Sequence, residues 1–119
     1  MDTRDKLDRM PTVLNLRDQP ELRAALARAH VHGDAVLIDR RTRWGNPFRI
    51  GPGTSRAQAV ELYRADLWRR VREGAITLED LAALAPCRLA CWCRPQACHG
   101  DVLARAAAWA AARLAGRAP

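Results

Sequence analysis

The chain has 119 residues, of which 49% are hydrophobic and 28% charged, a balance that excludes a disordered polymer and fits one compact domain with one modest core. Its net charge is +7, and because Lys6 is the sole lysine the basic surplus is arginine. No apolar run is long enough to span a membrane and the opening MDTRDKLDRM lacks an apolar signal region, so the expectation is a cytoplasmic protein without a membrane partner.

Residues 1–11 are charged and end in Pro11, which predicts a disordered tail ahead of a single domain over 12–116. Val13-Leu14-Asn15-Leu16 is a short strand candidate. PELRAALARAH starts with Pro20 at a suitable first helical position, and Gly33-Asp34 is expected to end that helix. Ala35-Val36-Leu37-Ile38, bounded by Asp39-Arg40-Arg41, reads as a buried strand.

Beyond the loop RTRWGNPFRIGPG, Thr54 or Ser55 caps a long helix with Val60, Tyr63, Leu67 and Val71 along one face and Gly74 after its end. Thr77 and Asp80 have capping-box spacing for a helix of about two turns that Pro86 stops. Arg88 to Cys93 is a third strand, and Asp101 to about Leu114 a final helix with Val102, Leu103, Ala106, Trp109 and Ala110 as its apolar stripe. Helical connections between strands imply an α/β fold: a small domain with a three-stranded or slightly larger, mostly parallel sheet and flanking helices.

The stretch CWCRPQACHGD, residues 91–101, carries the chemistry. In a reducing compartment, close cysteine spacing points to metal or thiol chemistry rather than to structural disulfides. Strand alternation puts Cys91 and Cys93 on one face and Trp92 on the other. Cys98, His99 and Asp101 fall where the last helix begins, so both cysteine groups meet at the carboxyl end of the strand, where open α/β sheets bind ligands.

A cysteine at a helix N-terminus has its thiolate favoured, which makes Cys98 the candidate nucleophile, with Cys93 nearby, His99 as base or donor, and Asp101 to orient His99 or cap the helix. The metal reading uses Cys91, Cys93, Cys98 and His99 around zinc, though C-x-C followed by adjacent Cys and His strains a single four-ligand site and leaves a three-ligand site with an open position. The plain alternative makes Cys91, Trp92 and Cys93 small and large fillers of a core strand; Cys87, after Pro86, is expected to be incidental packing.

A second constellation, RRTRWGNPFR over residues 40–49, offers Trp44 and Phe48 as flat faces, Asn46 as an amide, and Arg41, Arg43 and Arg49 as forks for phosphate or carboxylate. Those are parts for a nucleotide-like ligand, with Cys91 on the facing wall. The alternative is a tight turn shaped by Gly45 and Pro47, with the aromatics plugging the core.

In Trp44-Gly45-Asn46-Pro47-Phe48 and in Cys91 to Asp101 the chain resembles a bacterial and phage family, domain of unknown function 4326, over roughly residues 13–114. The resemblance implies that Cys91, Cys93, Cys98, His99 and Asp101 belong to the family's signature with the WGNPF loop; it implies no activity. Three functions fit the sequence. The leading one is a small domain that processes a nucleotide, nucleobase or related small anion through a cysteine/histidine site, as a thiol-dependent enzyme of open reaction type. The others are a zinc-binding nucleic-acid module using the arginines, and a phage or mobile-element accessory protein with structural cysteines.

Overall fold

A computed structural model describes residues 10–94 and 96–117; most of the predicted N-terminal tail lies outside the described residues. Four strands form one open sheet in the order β1-β4-β3-β2, with β1 at Thr12–Asn15, β2 at Val31–His32, β3 at Ala35–Leu37 and β4 at Arg88–Cys91. Strand β4 pairs in parallel with both β1 and β3, and β2 pairs antiparallel with β3. The helices are α1 at Pro20–Arg28, α2 at Arg56–Arg72, α3 at Leu78–Ala82 and α4 at His99–Arg117, and a 3₁₀ turn covers Leu16–Asp18. The fold is thus α/β with a mostly parallel sheet, as the helical connections predict.

Two apolar layers sandwich the sheet, and β4 shows why. Its Leu89 and Cys91 join the larger core with Tyr63, Leu67, Leu81 and Leu103, whereas Ala90 joins Leu16, Leu26, Ala35 and Leu37 on the other face. Alternation along one central strand therefore feeds both cores. Helix α1 covers the smaller layer while α2, α3 and α4 cover the larger.

Helix α2 begins with a reciprocal cap: the Ser55 hydroxyl accepts from the Gln58 N–H at 3.1 Å and the Gln58 side chain accepts from the Ser55 N–H at 2.7 Å. Its buried positions Ala59, Tyr63 and Leu67 recur every four residues, so one narrow stripe faces the core. Thr77 and Asp80 form the same box on α3, which is shorter than two turns.

Several boundaries differ from the sequence reading. Helix α1 stops at Arg28, and Gly33-Asp34 is a two-residue hairpin turn between β2 and β3, with Gly33 at φ 59 as a primed turn needs. The two residues of β2 are exposed and give no apolar signal. Strand β4 ends at Cys91, and α4 starts at His99 rather than Asp101. Trp109 lies outside the buried stripe: it is 41% exposed and stacks edge-on against Trp68 at 5.0 Å.

Candidate functional site

Strand β4 delivers Cys91 and Cys93 to its carboxyl end, and the chain returns within a few residues to start α4, which brings Cys98 back onto them. The three sulfurs lie within 4.8 Å of one another, with Cys91 Sγ and Cys98 Sγ 3.2 Å apart. Cys91 and Cys98 are each 1% exposed, whereas Cys93 is half-buried. All four cysteines are free thiols, and Cys87 stands apart, its sulfur 3.3 Å from the Ala83 carbonyl.

Cys98 caps α4. Its sulfur accepts the Gly100 N–H at 3.2 Å, and Asp101 reaches back to accept the Cys98 N–H at 3.2 Å, so cysteine stands at the N-cap, where serine or threonine is usual, with the return half of a capping box supplied by Asp101. Asp101 also pairs with Arg94 at 2.5 Å. Of the two roles foreseen for Asp101, the geometry has the cap; no hydrogen bond joins it to His99 among the described residues.

His99 does face Cys98. Its Nδ1 lies 3.6 Å from Cys98 Sγ, and its Nε2 lies 2.6 Å from the Ile38 carbonyl oxygen. A carbonyl only accepts, so Nε2 carries the proton and a neutral ring presents a bare Nδ1 to the Cys98 thiol. Burial lowers the imidazole's pKa, which favours that neutral form.

The sulfurs titrate as one unit. Hydrogen bonding with Cys91 and then Cys98, aided by Arg56, pulls the Cys93 thiol well below its ordinary value. The same bonding pushes Cys91 and Cys98 up. The direction favours a thiolate at Cys93, the most exposed of the three, over one at Cys91 or Cys98.

These groups line a cavity of about 170 Å³ together with Asp39, Phe48, Arg56, Val60 and Trp92, and Arg56 stands beside Cys93. Burial opposes the Asp39 charge, but hydrogen bonds from Arg41 and Trp92 outweigh it and hold the carboxyl below the usual range. Residues 45–50 form the outer wall and alternate. Asn46, Phe48 and Ile50 face this cavity, whereas Gly45, Pro47 and Arg49 face a second cavity of about 460 Å³ that also holds Arg43 and Arg70; Arg40 borders both. Gly45 is required: a Cβ there would come within 2.6 Å of Arg40 Cα.

The other foreseen ligand residues divide between core, cavity and surface. Trp44 is a core residue whose carbonyl accepts from Tyr63 Oη at 2.8 Å, so the turn-and-plug reading of the loop holds for it. Asn46 lines the cavity with both ends engaged, donating to the Ala59 carbonyl at 3.1 Å and accepting from the Phe48 N–H at 2.9 Å. Arg41 pairs with Asp39 at 2.6 Å and lines neither cavity. Arg43 stacks over Trp44 at 4.5 Å and pairs with Asp80 at 3.3 Å.

Arg40 and Arg56 were not singled out by sequence. Arg56 is the first residue of α2, far from the cysteines in the chain, and only the packing of α2 on α4 brings it to Cys93. No local pattern marks it.

A family description, "Domain of unknown function (DUF4326)", matches residues 23–109. An uncharacterised 12.4 kDa protein of the nrdA-td intergenic region in Enterobacteria phage T4 is 45% identical over 69 residues, which are 58% of this chain and 63% of that protein. The chain therefore aligns with less than two thirds of that relative. No solved structure matches the chain. Among the described residues, no helix is long and apolar enough to cross a membrane.

Proposed function

This chain belongs to the family of domain of unknown function 4326, and we propose that it is a small ligand-processing domain that takes the ring of a nucleobase or nucleotide and presents it to the cysteine/histidine cluster. The observation that carries this reading is the two-sided wall of residues 45–50, apolar and sulfur-facing on one side, arginine-lined on the other, with Arg40 reaching both.

Volume supports the ring. A cavity of about 150 Å³ holds benzene, so about 170 Å³ accepts one small heteroaromatic ring and leaves a sugar and phosphate outside. Phe48 supplies a face for stacking. Charge supports the anion: Arg40 and Arg49 border the second cavity without a carboxylate partner among the described residues, whereas Arg43 is paired with Asp80 and Arg70 with the Asp66 that also lines it, and guanidinium forks suit phosphate. The sulfurs at the far wall are the reactive end, where a thiol or what it binds meets the ring. The phage relative is consistent with work inside an infected cell, where reducing conditions keep such thiols free.

The test is a titration series of nucleobase, nucleoside and nucleoside monophosphate followed by calorimetry and intrinsic tryptophan fluorescence. The monophosphate should bind tightest, Arg49→Glu should remove its advantage over the nucleoside, and Val60→Trp should block all three by filling the cavity. Absence of binding across the series rejects the reading. Tight, steeply salt-dependent binding of a single-stranded oligonucleotide, with none of the small ligands bound, would favour the nucleic-acid module instead.

A further inference from the structure

We propose that Cys91, Cys93 and Cys98 hold one soft divalent metal ion, zinc, as three thiolate ligands, with the fourth coordination position open to the cavity. The inference deepens the function proposed above, on which it rests only for what occupies that fourth position.

Distance is the first argument. Tetrahedral zinc with bonds of about 2.3 Å sets its sulfurs about 3.8 Å apart. The trio, with a shortest known separation of 3.2 Å and all members within 4.8 Å, brackets that value. A disulfide needs about 2 Å between two sulfurs and would leave the third without a role. Each thiol would lose its proton to solvent and form a sulfur–metal bond, so binding requires no oxidant.

Support around the sulfurs is the second. Three thiolates and one divalent ion leave a net negative charge, and donors already stand there: the Gly100 N–H at 3.2 Å from Cys98 Sγ, and the Arg56 guanidinium beside Cys93. The ligands come from the end of the central strand and a helix cap, packed within the main core, so the site is assembled by folding. The C-x-C spacing that strains a four-ligand site suits a three-ligand one: Cys91 ends β4, Cys93 follows two residues on, and their sulfurs lie within 4.8 Å of each other.

The third argument is the open side. All three cysteines line the cavity. Of the three cysteines, His99 meets Cys98 alone among the described residues, and it is anchored through Nε2 to the Ile38 carbonyl, which leaves it outside the trio. Three protein ligands and a free position facing a pocket are the arrangement of catalytic rather than structural zinc, where the ion polarises a bound water or a ligand atom.

The test uses untagged full-length protein purified without chelator. Elemental analysis should give one zinc per chain, and replacement by Co²⁺ should give a thiolate-to-metal charge-transfer band with tetrahedral d–d bands. Cys93→Ser, at the least buried position, should weaken Co²⁺ binding by more than the roughly 10–100-fold that loss of an outer partner costs, with unchanged circular dichroism; Cys87→Ser should bind like wild type. Imidazole added to the Co²⁺ form should shift the d–d bands by entering the open position.

Folded protein that takes up no stoichiometric metal, or a folded Cys93→Ser chain that binds Co²⁺ as wild type does, overturns the site. Bands indifferent to imidazole overturn the open position and point to His99 as fourth ligand. Metal bound with no member of the nucleotide series bound removes the functional reading and leaves the metal site standing; the converse removes the metal alone.

Discussion

Trp92 Nε1 donates to Asp39 Oδ2 at 3.2 Å across 53 residues of chain, tying the end of β4 to the loop that follows β3. Asp39 also accepts from Arg41, at 2.6 Å from Nη2, so its charge is matched on both sides. Its folded-state pKa is depressed, so its stabilisation is present above the ordinary value of 3.8 and is lost as pH falls through the lower folded value. Asp39→Asn should cost about 1 kcal/mol at neutral pH, the scale of a net hydrogen bond in a partly exposed setting. Urea unfolding of both chains should show the gap closing in acid. A gap that stays constant down to pH 2 would mean that Asp39 acts through shape and not charge.

Gly45→Ala tests the wall between the cavities. The new methyl would fall on the Asp39 carbonyl and Arg40 Cα, which are backbone atoms with no rotamer to relax into. Overpacking of that kind costs about 1–3 kcal/mol, and relief by moving residues 39–40 would displace Arg40 from both cavities. Gly51→Ala, which meets nothing within 4 Å, should stay within about 0.5 kcal/mol of wild type. Equal stability of the two variants by thermal unfolding would show that the loop is looser than its packing implies.

Local signals told most about the elements that bury their own apolar residues. Strand β3, helix α2 and its stop at Gly74, the capping box of α3 and the meeting of Cys91, Cys93 and Cys98 all follow from alternation, cap chemistry and the position of strand ends. What escaped depends on distant partners. Trp44 is held by the Tyr63 hydroxyl, which donates to its carbonyl from 19 residues further on, and no local pattern joins the two. Strand β2 exists because β3 offers it an edge, and Arg56 enters the site because α2 packs on α4.

Tyr63, the chain's single tyrosine, gives a spectroscopic reading of the core. It is fully buried and donates to the Trp44 carbonyl at 2.8 Å, so Tyr63→Phe leaves that carbonyl unpaired, at a cost of about 1–3 kcal/mol. Burial raises the phenol's pKa above its ordinary 10.0. Stability tied to the neutral phenol is therefore whole below pH 10 and is lost as pH rises toward the folded value. Tyrosinate absorbance should appear only together with unfolding, and the Phe variant should lose less stability in that alkaline window. Ionisation at the ordinary value in a folded chain would refute the buried phenol.

Exposure of the four thiols makes the last prediction. In chelator and reductant, the native chain should alkylate at Cys87 and Cys93, both partly exposed, while Cys91 and Cys98 react only on unfolding. Cys93 should react faster than Cys87, because Cys91, Cys98 and Arg56 favour its thiolate whereas burial raises the Cys87 thiol. Stoichiometric zinc should then protect Cys93 and leave Cys87 unchanged, since Cys87 lies outside the trio. Mass mapping of the alkylated peptides separates these outcomes. Rapid native modification of Cys98 would mean that its cap at the start of α4 opens in solution, and a Cys93 that zinc fails to protect would count against coordination by the trio.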